Sequence, residues 1–186
     1  PRLSTPAMRL LLAIPGIRGM IYSKVRDQLI QALGGNLRQL ILGGAALSDE
    51  VEALLRKIRF PFTIGYGMTE CAPLITYEWW ETQRPHSCGR LCHGMEARIL
   101  SDDYHNTPGV LFVKGDNVMM GYYKNPESTE EALCPDGWLR TGDVCTMDND
   151  GYLYIRGRDK NMILSSSGQN IYPEEIEAKL NNLPLV

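Results

Sequence analysis

Two carboxylates, one arginine, one lysine and one hydroxyl stand where this sequence makes its sharpest turns, and their types suit the handling of a phosphorylated, hydroxyl-bearing ligand. Thr69 and Glu70 close the run Gly65-Tyr66-Gly67-Met68-Thr69-Glu70. A Thr hydroxyl can donate to a phosphate oxygen, and a Glu carboxylate is a hard oxygen ligand suited to Mg²⁺. Tyr66 supplies an aromatic face for a flat base. Asp143 ends Gly137-Trp138-Leu139-Arg140-Thr141-Gly142-Asp143, where one carboxylate can accept two hydrogen bonds from the paired hydroxyls of a ribose. Arg158 and Lys160 sit in Gly157-Arg158-Asp159-Lys160. Gly43, Gly44 and Ala45 follow an apolar run and leave room for a base to approach the backbone. Each segment alone reads equally well as a glycine turn, a helix cap or a solvated charge run.

The elements that must position these groups fall into two textures. Residues 17–33 place Ile17, Met20, Ile21, Val25, Leu29, Ile30 and Leu33 at helical spacing, and Gly34-Gly35 ends that helix. Leu37 to Leu42 is a short apolar run, expected as a strand buried on both faces of a parallel sheet. Ser48 suits an N-cap, and Val51, Leu54, Leu55 and Ile58 are expected as the buried stripe of a second helix. Phe60 to Tyr66 then returns as a strand. This alternation predicts an α/β class with an open sheet, whose strand ends are where ligands bind.

Beyond Pro85 the chain breaks into short β-rich runs: Glu96–Leu100, Val110–Lys114, Val144–Met147 and Tyr152–Arg156. The last two flank Asp148-Asn149-Asp150-Gly151, a hairpin turn. An antiparallel β subdomain is expected there. Next come a short strand pair around the Ser165–Gly168 loop and a helix beginning at Pro173, the start of a small α+β unit. The expected boundaries are 1–84 for the remnant of a large α/β domain, 85–157 for the β subdomain, 158–160 for a hinge, and 161–186 for the beginning of a mobile C-terminal domain.

The 186 residues are 44% hydrophobic and 22% charged, which excludes a disordered chain, and the five cysteines fit a reducing cytoplasm better than a disulfide framework. Net charge is −3 with basic residues scattered, which removes the footprint of a nucleic-acid binder. His86, Cys88, Cys92 and His93 carry soft ligands at spacings that match no usual zinc finger. Trp79 and Trp80 read as core or lid packing, with peripheral membrane contact of a parent protein as the other role open to them.

Taken in order, the five segments Leu42–Ser48, Gly65–Glu70, Gly137–Asp143, Gly157–Lys160 and Ser167–Glu177 resemble the AMP-forming, adenylate-producing ligases, and within them the fatty acyl-CoA synthetases. Cys71-Ala72-Pro73-Leu74-Ile75 is similar to the long-chain branch. The resemblance implies that Gly43, Gly44 and Ala45 line the adenine and acyl pocket, that Tyr66 and Gly67 meet adenine, and that Thr69 contacts the α-phosphate. It implies that Glu70 holds Mg²⁺, that Asp143 and Arg158 bind ribose, and that Lys160 is the hinge. Gly168, Gln169 and Asn170 would belong to the loop that enters for the thioester step. Asn161 stands where the family commonly has an acidic residue. The substrates implied are a fatty acid, ATP and CoA, with AMP as product.

The same resemblance expects a phosphate-gripping loop upstream and a catalytic lysine downstream that this chain does not contain. It is therefore expected to be a piece of an enzyme, inactive alone. An adenylation enzyme loading a carrier-protein phosphopantetheine and a non-catalytic nucleotide- or acyl-binding module remain as alternatives. Oligomeric state is left open by the sequence.

Overall fold

The computed structural model describes residues 13–45, 47–164 and 170–180, with no side-chain description for Pro15, Asn170, Glu175, Ala178 and Lys179. Helix α1 (Pro15–Ala32) starts at a proline and ends where the Gly35 amide returns to the Ile30 carbonyl at 2.8 Å. Strand β1 (Leu40–Leu42) follows. Helix α2 (Asp49–Lys57) is capped by Ser48, whose hydroxyl accepts from the Val51 amide at 3.4 Å; three acidic residues occupy its first turn and Arg56 and Lys57 its last. Strand β2 (Phe62–Ile64) pairs in parallel with β1, Leu40 opposite Phe62 and Leu42 opposite Ile64. This parallel pair is the open-sheet element that the alternation predicted.

A three-stranded antiparallel sheet comes next: β3 (Tyr66–Gly67), β4 (Leu74–Tyr77) and β5 (Arg90–Leu91), with β4 in the middle. The connection from β3 to β4 is a 3-10 turn, Thr69–Cys71. A four-stranded antiparallel sheet follows, in the order β6 (Glu96–Leu100), β7 (Gly109–Lys114), β8 (Leu139–Met147) and β9 (Leu153–Arg158). Helix α3 (Pro126–Ala132), capped by the Asn125 side chain, lies in the crossing from β7 to β8. The hairpin at Asp148–Gly151 forms as expected, the Gly151 amide donating to the Asp148 carbonyl at 3.0 Å. The short pair β10 (Ile163–Leu164) and β11 (Asn170–Ile171) and helix α4 (Pro173–Leu180) complete the described chain. The architecture is mixed α/β with several sheets.

Two apolar clusters hold these layers. The larger contains Cys71, Ile75, Met95, Leu111, Val113, Leu139, Cys145 and Leu153, contributed by both antiparallel sheets and the turn between β3 and β4. The smaller gathers Ile58, Phe60 and Phe62 beneath α1 and α2. Among the described residues no helix is long and apolar enough to cross a membrane.

Several local expectations fail for identifiable reasons. The residue that α2 buries is Glu52, not Val51 or Leu54, which are exposed. Glu52 is 3% exposed and accepts from Arg56 at 2.8 Å and from the His86 amide at 3.0 Å, so a paired carboxylate takes the place an apolar stripe would have filled. Met20, Leu29 and Leu33 of the α1 face are also exposed. Strand β1 is not buried on both faces, because Ile41 is 45% exposed. Trp79 is 47% exposed rather than core-packed. The Gly137–Asp143 segment is not a turn but mostly strand, β8 running from Leu139.

Candidate active site

Tyr66 opens β3, and its hydroxyl donates to Asp143 Oδ2 at 2.6 Å. Asp143 stands opposite Arg158 in the β8–β9 ladder, and Arg158 Nε lies 2.9 Å from Asp143 Oδ1. The carboxylate is 6% exposed, so each of its oxygens carries a partner, as a buried charge requires. Burial pushes the Asp143 carboxyl above the usual carboxylate range, against the Tyr66 hydroxyl and the Arg158 guanidinium, which both pull it down. Burial also raises the Tyr66 phenol, and the Asp143 charge raises it further, so it stays a donor. Each carboxylate oxygen keeps a second lone pair, which leaves room for two more donors such as a vicinal diol.

The strand ladder provides a second pair beside the first. Arg140 of β8 is ion-paired with Asp159, the residue after β9, and among the described residues the buried Asp159 Oδ1 has no hydrogen-bond partner. Thr141, between them, donates to the Leu111 carbonyl at 2.9 Å and accepts from the Asp143 amide at 3.1 Å. Buried polar residues in a strand are thereby satisfied within the sheet.

A cleft of about 590 Å³ opens at this ladder, its lining including Met68, Glu70, Tyr122, Arg140, Arg158 and Lys160. Glu70 lies in the 3-10 turn and is partly exposed. The Tyr122 hydroxyl donates to its Oε1 at 2.8 Å, and Oε2 takes no side-chain hydrogen bond among the described residues. Among the described residues no group of three or more His, Cys, Asp and Glu is placed to hold a metal. A single carboxylate facing a cleft fits a Mg²⁺ shared with substrate phosphates and water, the arrangement that ion favours over an all-protein cage.

The sequence candidates are distributed as follows. Glu70, Arg158 and Lys160 line the cleft, and Asp143, outside the lining, is ion-paired with Arg158 across the strand ladder. Tyr66 reaches Asp143 from outside the cleft lining. Thr69 opens the same 3-10 turn as Glu70 and is exposed, and Gly67 lies in β3. Gly43, Gly44 and Ala45 follow β1, away from the cleft lining; a Cβ on Gly43 would stand 3.2 Å from the Gly65 carbonyl, which puts that loop beside the chain leading to Tyr66. Lys160 is in the turn Asp159–Asn161, its Nζ 3.9 Å from Glu131 with both groups exposed, a pair worth little in water. Asn161, at the position common to an acid in the family, donates instead to Glu174 Oε1 at 2.6 Å and pins α4 to the turn. Gly168 and Gln169 lie outside the described residues, and Asn170 is described only as backbone in β11.

Three functional neighbours escaped the sequence reading. Arg140 and Asp159 lie inside two of the motifs, and their opposite charges were the available signal. Tyr122 carries no local signal, because its partner is 52 residues away.

A family model for AMP-binding enzymes matches residues 4–123. The chain is 37% identical over 175 residues to a long-chain-fatty-acid–CoA ligase of Yersinia pestis, covering 89% of this chain and 30% of that protein. The o-succinylbenzoate CoA synthetase of Bacillus subtilis in complex with the acyl-adenylate intermediate is similar in structure. Its TM-score is 0.76 at 31% identity, covering 88% of this chain and 35% of that one. The same Bacillus subtilis enzyme in complex with ATP and magnesium ion gives a TM-score of 0.71 at 30% identity, with 84% and 35% covered. The chain thus spans about a third of the length of the proteins it matches. With the motif order, the paired Asp143 and Arg158 and the match over residues 4–123 all in agreement, the chain belongs to the AMP-binding enzyme family.

Proposed function

We propose that this chain is the nucleotide-holding and hinge portion of an AMP-forming acid–CoA ligase that acts on fatty acids. The observation that carries the reading is the convergence of Tyr66, Asp143 and Arg158, in which a buried carboxylate takes a tyrosine hydroxyl on one oxygen and an arginine on the other. In this reading the ribose hydroxyls of ATP donate to Asp143, Arg158 secures the ribose from the rim, and adenine lies against Tyr66 beside Gly43, Gly44, Ala45 and Gly67. Thr69 donates to an α-phosphate oxygen. Glu70 would hold Mg²⁺, which supplies neutralisation of the phosphate charge when bound.

The fatty acid carboxylate attacks the α-phosphorus, the bond to the bridging oxygen breaks, and pyrophosphate leaves with acyl-AMP remaining. The small domain then turns about Lys160, bringing Gly168, Gln169 and Asn170 to the site. The CoA sulfur attacks the acyl carbonyl and AMP departs. Rotation at a few backbone dihedrals suffices for such a swing. The fatty-acid assignment is supported by the 37% identity to the Yersinia pestis ligase, whereas the structural neighbour acts on o-succinylbenzoate.

The test incubates the full-length protein carrying this chain with ATP, Mg²⁺, CoA and acids from C8 to C18. Release of AMP and pyrophosphate with a long-chain acyl-CoA is the expected result. Formation of ADP, or no product with any acid, overturns it. Product only when a phosphopantetheinyl carrier protein replaces CoA would move the acceptor assignment. Given the share of its relatives that it spans, we expect the 186-residue chain alone to produce no acyl-CoA from palmitate.

A further inference from the structure

The turn that carries Glu70 is held by a segment far along the chain. The Asn117 side-chain amide donates to the Cys71 carbonyl at 2.6 Å and to the Leu74 carbonyl at 3.1 Å. The Met119 amide donates to the Glu70 carbonyl at 2.8 Å. These bonds already fix the backbone of the turn. The third tie is of a different kind: the Tyr122 hydroxyl meets the Glu70 carboxylate itself, 2.8 Å from Oε1. Tyr122 is 38% exposed, so its ring is not there chiefly to fill a core. Its own placement is set by Gly121, at φ +146°, and by its amide, which donates to Thr129 Oγ1 at 2.9 Å on α3. A Cβ at Gly121 would approach Thr129 Cγ2 to 2.8 Å, so a side chain there would displace the tyrosine from the helix.

We propose that Tyr122 is a positioning residue: its hydroxyl holds the Glu70 carboxylate, through Oε1, in the orientation in which a nucleotide-bound divalent cation meets it. The proposal rests on the assignment of Glu70 to the cation made above. A free glutamate side chain samples several rotamers, and fixing one before the cation arrives removes that cost from binding. The remaining oxygen, Oε2, takes no side-chain hydrogen bond among the described residues.

The test uses the full-length protein carrying this chain, in wild-type form and as Tyr122→Phe, Glu70→Gln and the double variant. Mn²⁺ binding is followed by electron paramagnetic resonance with a non-hydrolysable ATP analogue. In parallel, ATP–pyrophosphate exchange is measured against Mg²⁺ concentration. Tyr122→Phe is expected to weaken Mn²⁺ about 10-fold and to raise the half-saturating Mg²⁺ by a similar factor. Exchange should recover at saturating Mg²⁺ with the KM for the acid unchanged, and the double variant should match Glu70→Gln. Should Tyr122→Phe fail to fold, Thr129→Val keeps the phenol but loosens it, and a smaller shift in the same direction is expected. Unchanged Mn²⁺ affinity in the tyrosine or threonine variant beside a weakened Glu70→Gln overturns the role of Tyr122 alone. Exchange lost at every Mg²⁺ concentration overturns it as well. Unchanged Mn²⁺ affinity in Glu70→Gln removes the Glu70 assignment and the proposal with it.

Discussion

Tyr66 and Asp143, 77 residues apart, share a 2.6 Å hydrogen bond that joins the three-stranded antiparallel sheet to the four-stranded one. The bond makes the aromatic residue and the carboxylate one unit, with Arg158 on the carboxylate's other oxygen. Asp143→Ala is expected to weaken AMP or acyl-adenylate binding by about 1–3 kcal/mol, read by calorimetry in the full-length protein. Tyr66→Phe keeps the ring and removes one donor, so its loss should be the smaller of the two. Equal affinity for nucleotide in wild type and Asp143→Ala would remove the ribose assignment.

The raised Asp143 carboxyl also fixes the sign of a pH effect. Protonation removes an acceptor that the ribose hydroxyls need, so nucleotide affinity should fall on acidification at a higher pH than an ordinary aspartate, near 3.9, would give. The contribution to folding runs the other way. A carboxyl that holds its proton more tightly when folded favours the folded state at low pH, and that contribution is lost as pH rises through the folded value. Nucleotide titrations and denaturation midpoints from pH 4 to 8 separate the two trends.

Asn161 and Glu174 offer a second titratable contact. The Asn161 amide holds the Glu174 carboxyl below the usual range, so its stabilisation is present above the ordinary glutamate value, about 4.3, and is lost as pH falls through the lowered one. Asn161→Asp replaces the donor with a second carboxylate. The prediction is lower protection factors, corrected for the intrinsic exchange rate, over residues 171–180 at pH 7 than at pH 5, where the two acids can share a proton. Identical protection at both pH values would count against it.

Gly67 lies under the Pro73 carbonyl, where an added Cβ would collide with backbone that cannot step aside. Gly67→Ala is expected to cost about 1–3 kcal/mol and to disturb the turn that carries Glu70. Chemical denaturation measures the first effect. Leu111→Ala, at a position with no exposed surface between β6 and β8, should cost about 2–5 kcal/mol in the same assay.

Much of the fold was legible because its signals are local. Ser48 with three acids in the next turn marks α2, Pro173 marks α4, and Asp148–Gly151 marks the β8–β9 hairpin. What escaped depends on contacts distant in sequence. β8 hides its start because Thr141 and Asp143 are polar yet buried, and their partners Leu111, Tyr66 and Arg158 come from three other segments. Glu52 breaks the apolar stripe of α2 because His86, 34 residues on, supplies a donor. The site was legible as a set of motifs; Tyr122 was not, since nothing beside it in the sequence announces Glu70.

Among the described residues the two apolar clusters are unequal, eight buried residues against three. The smaller cluster is served there by a two-stranded sheet and two helices with exposed apolar faces, less burial than the antiparallel sheets have. Cooperativity should therefore divide along the chain. Heating this polypeptide should release residues 13–64 in a broad early transition, while the antiparallel sheets persist to a sharper later one, so circular dichroism would lose helix before strand.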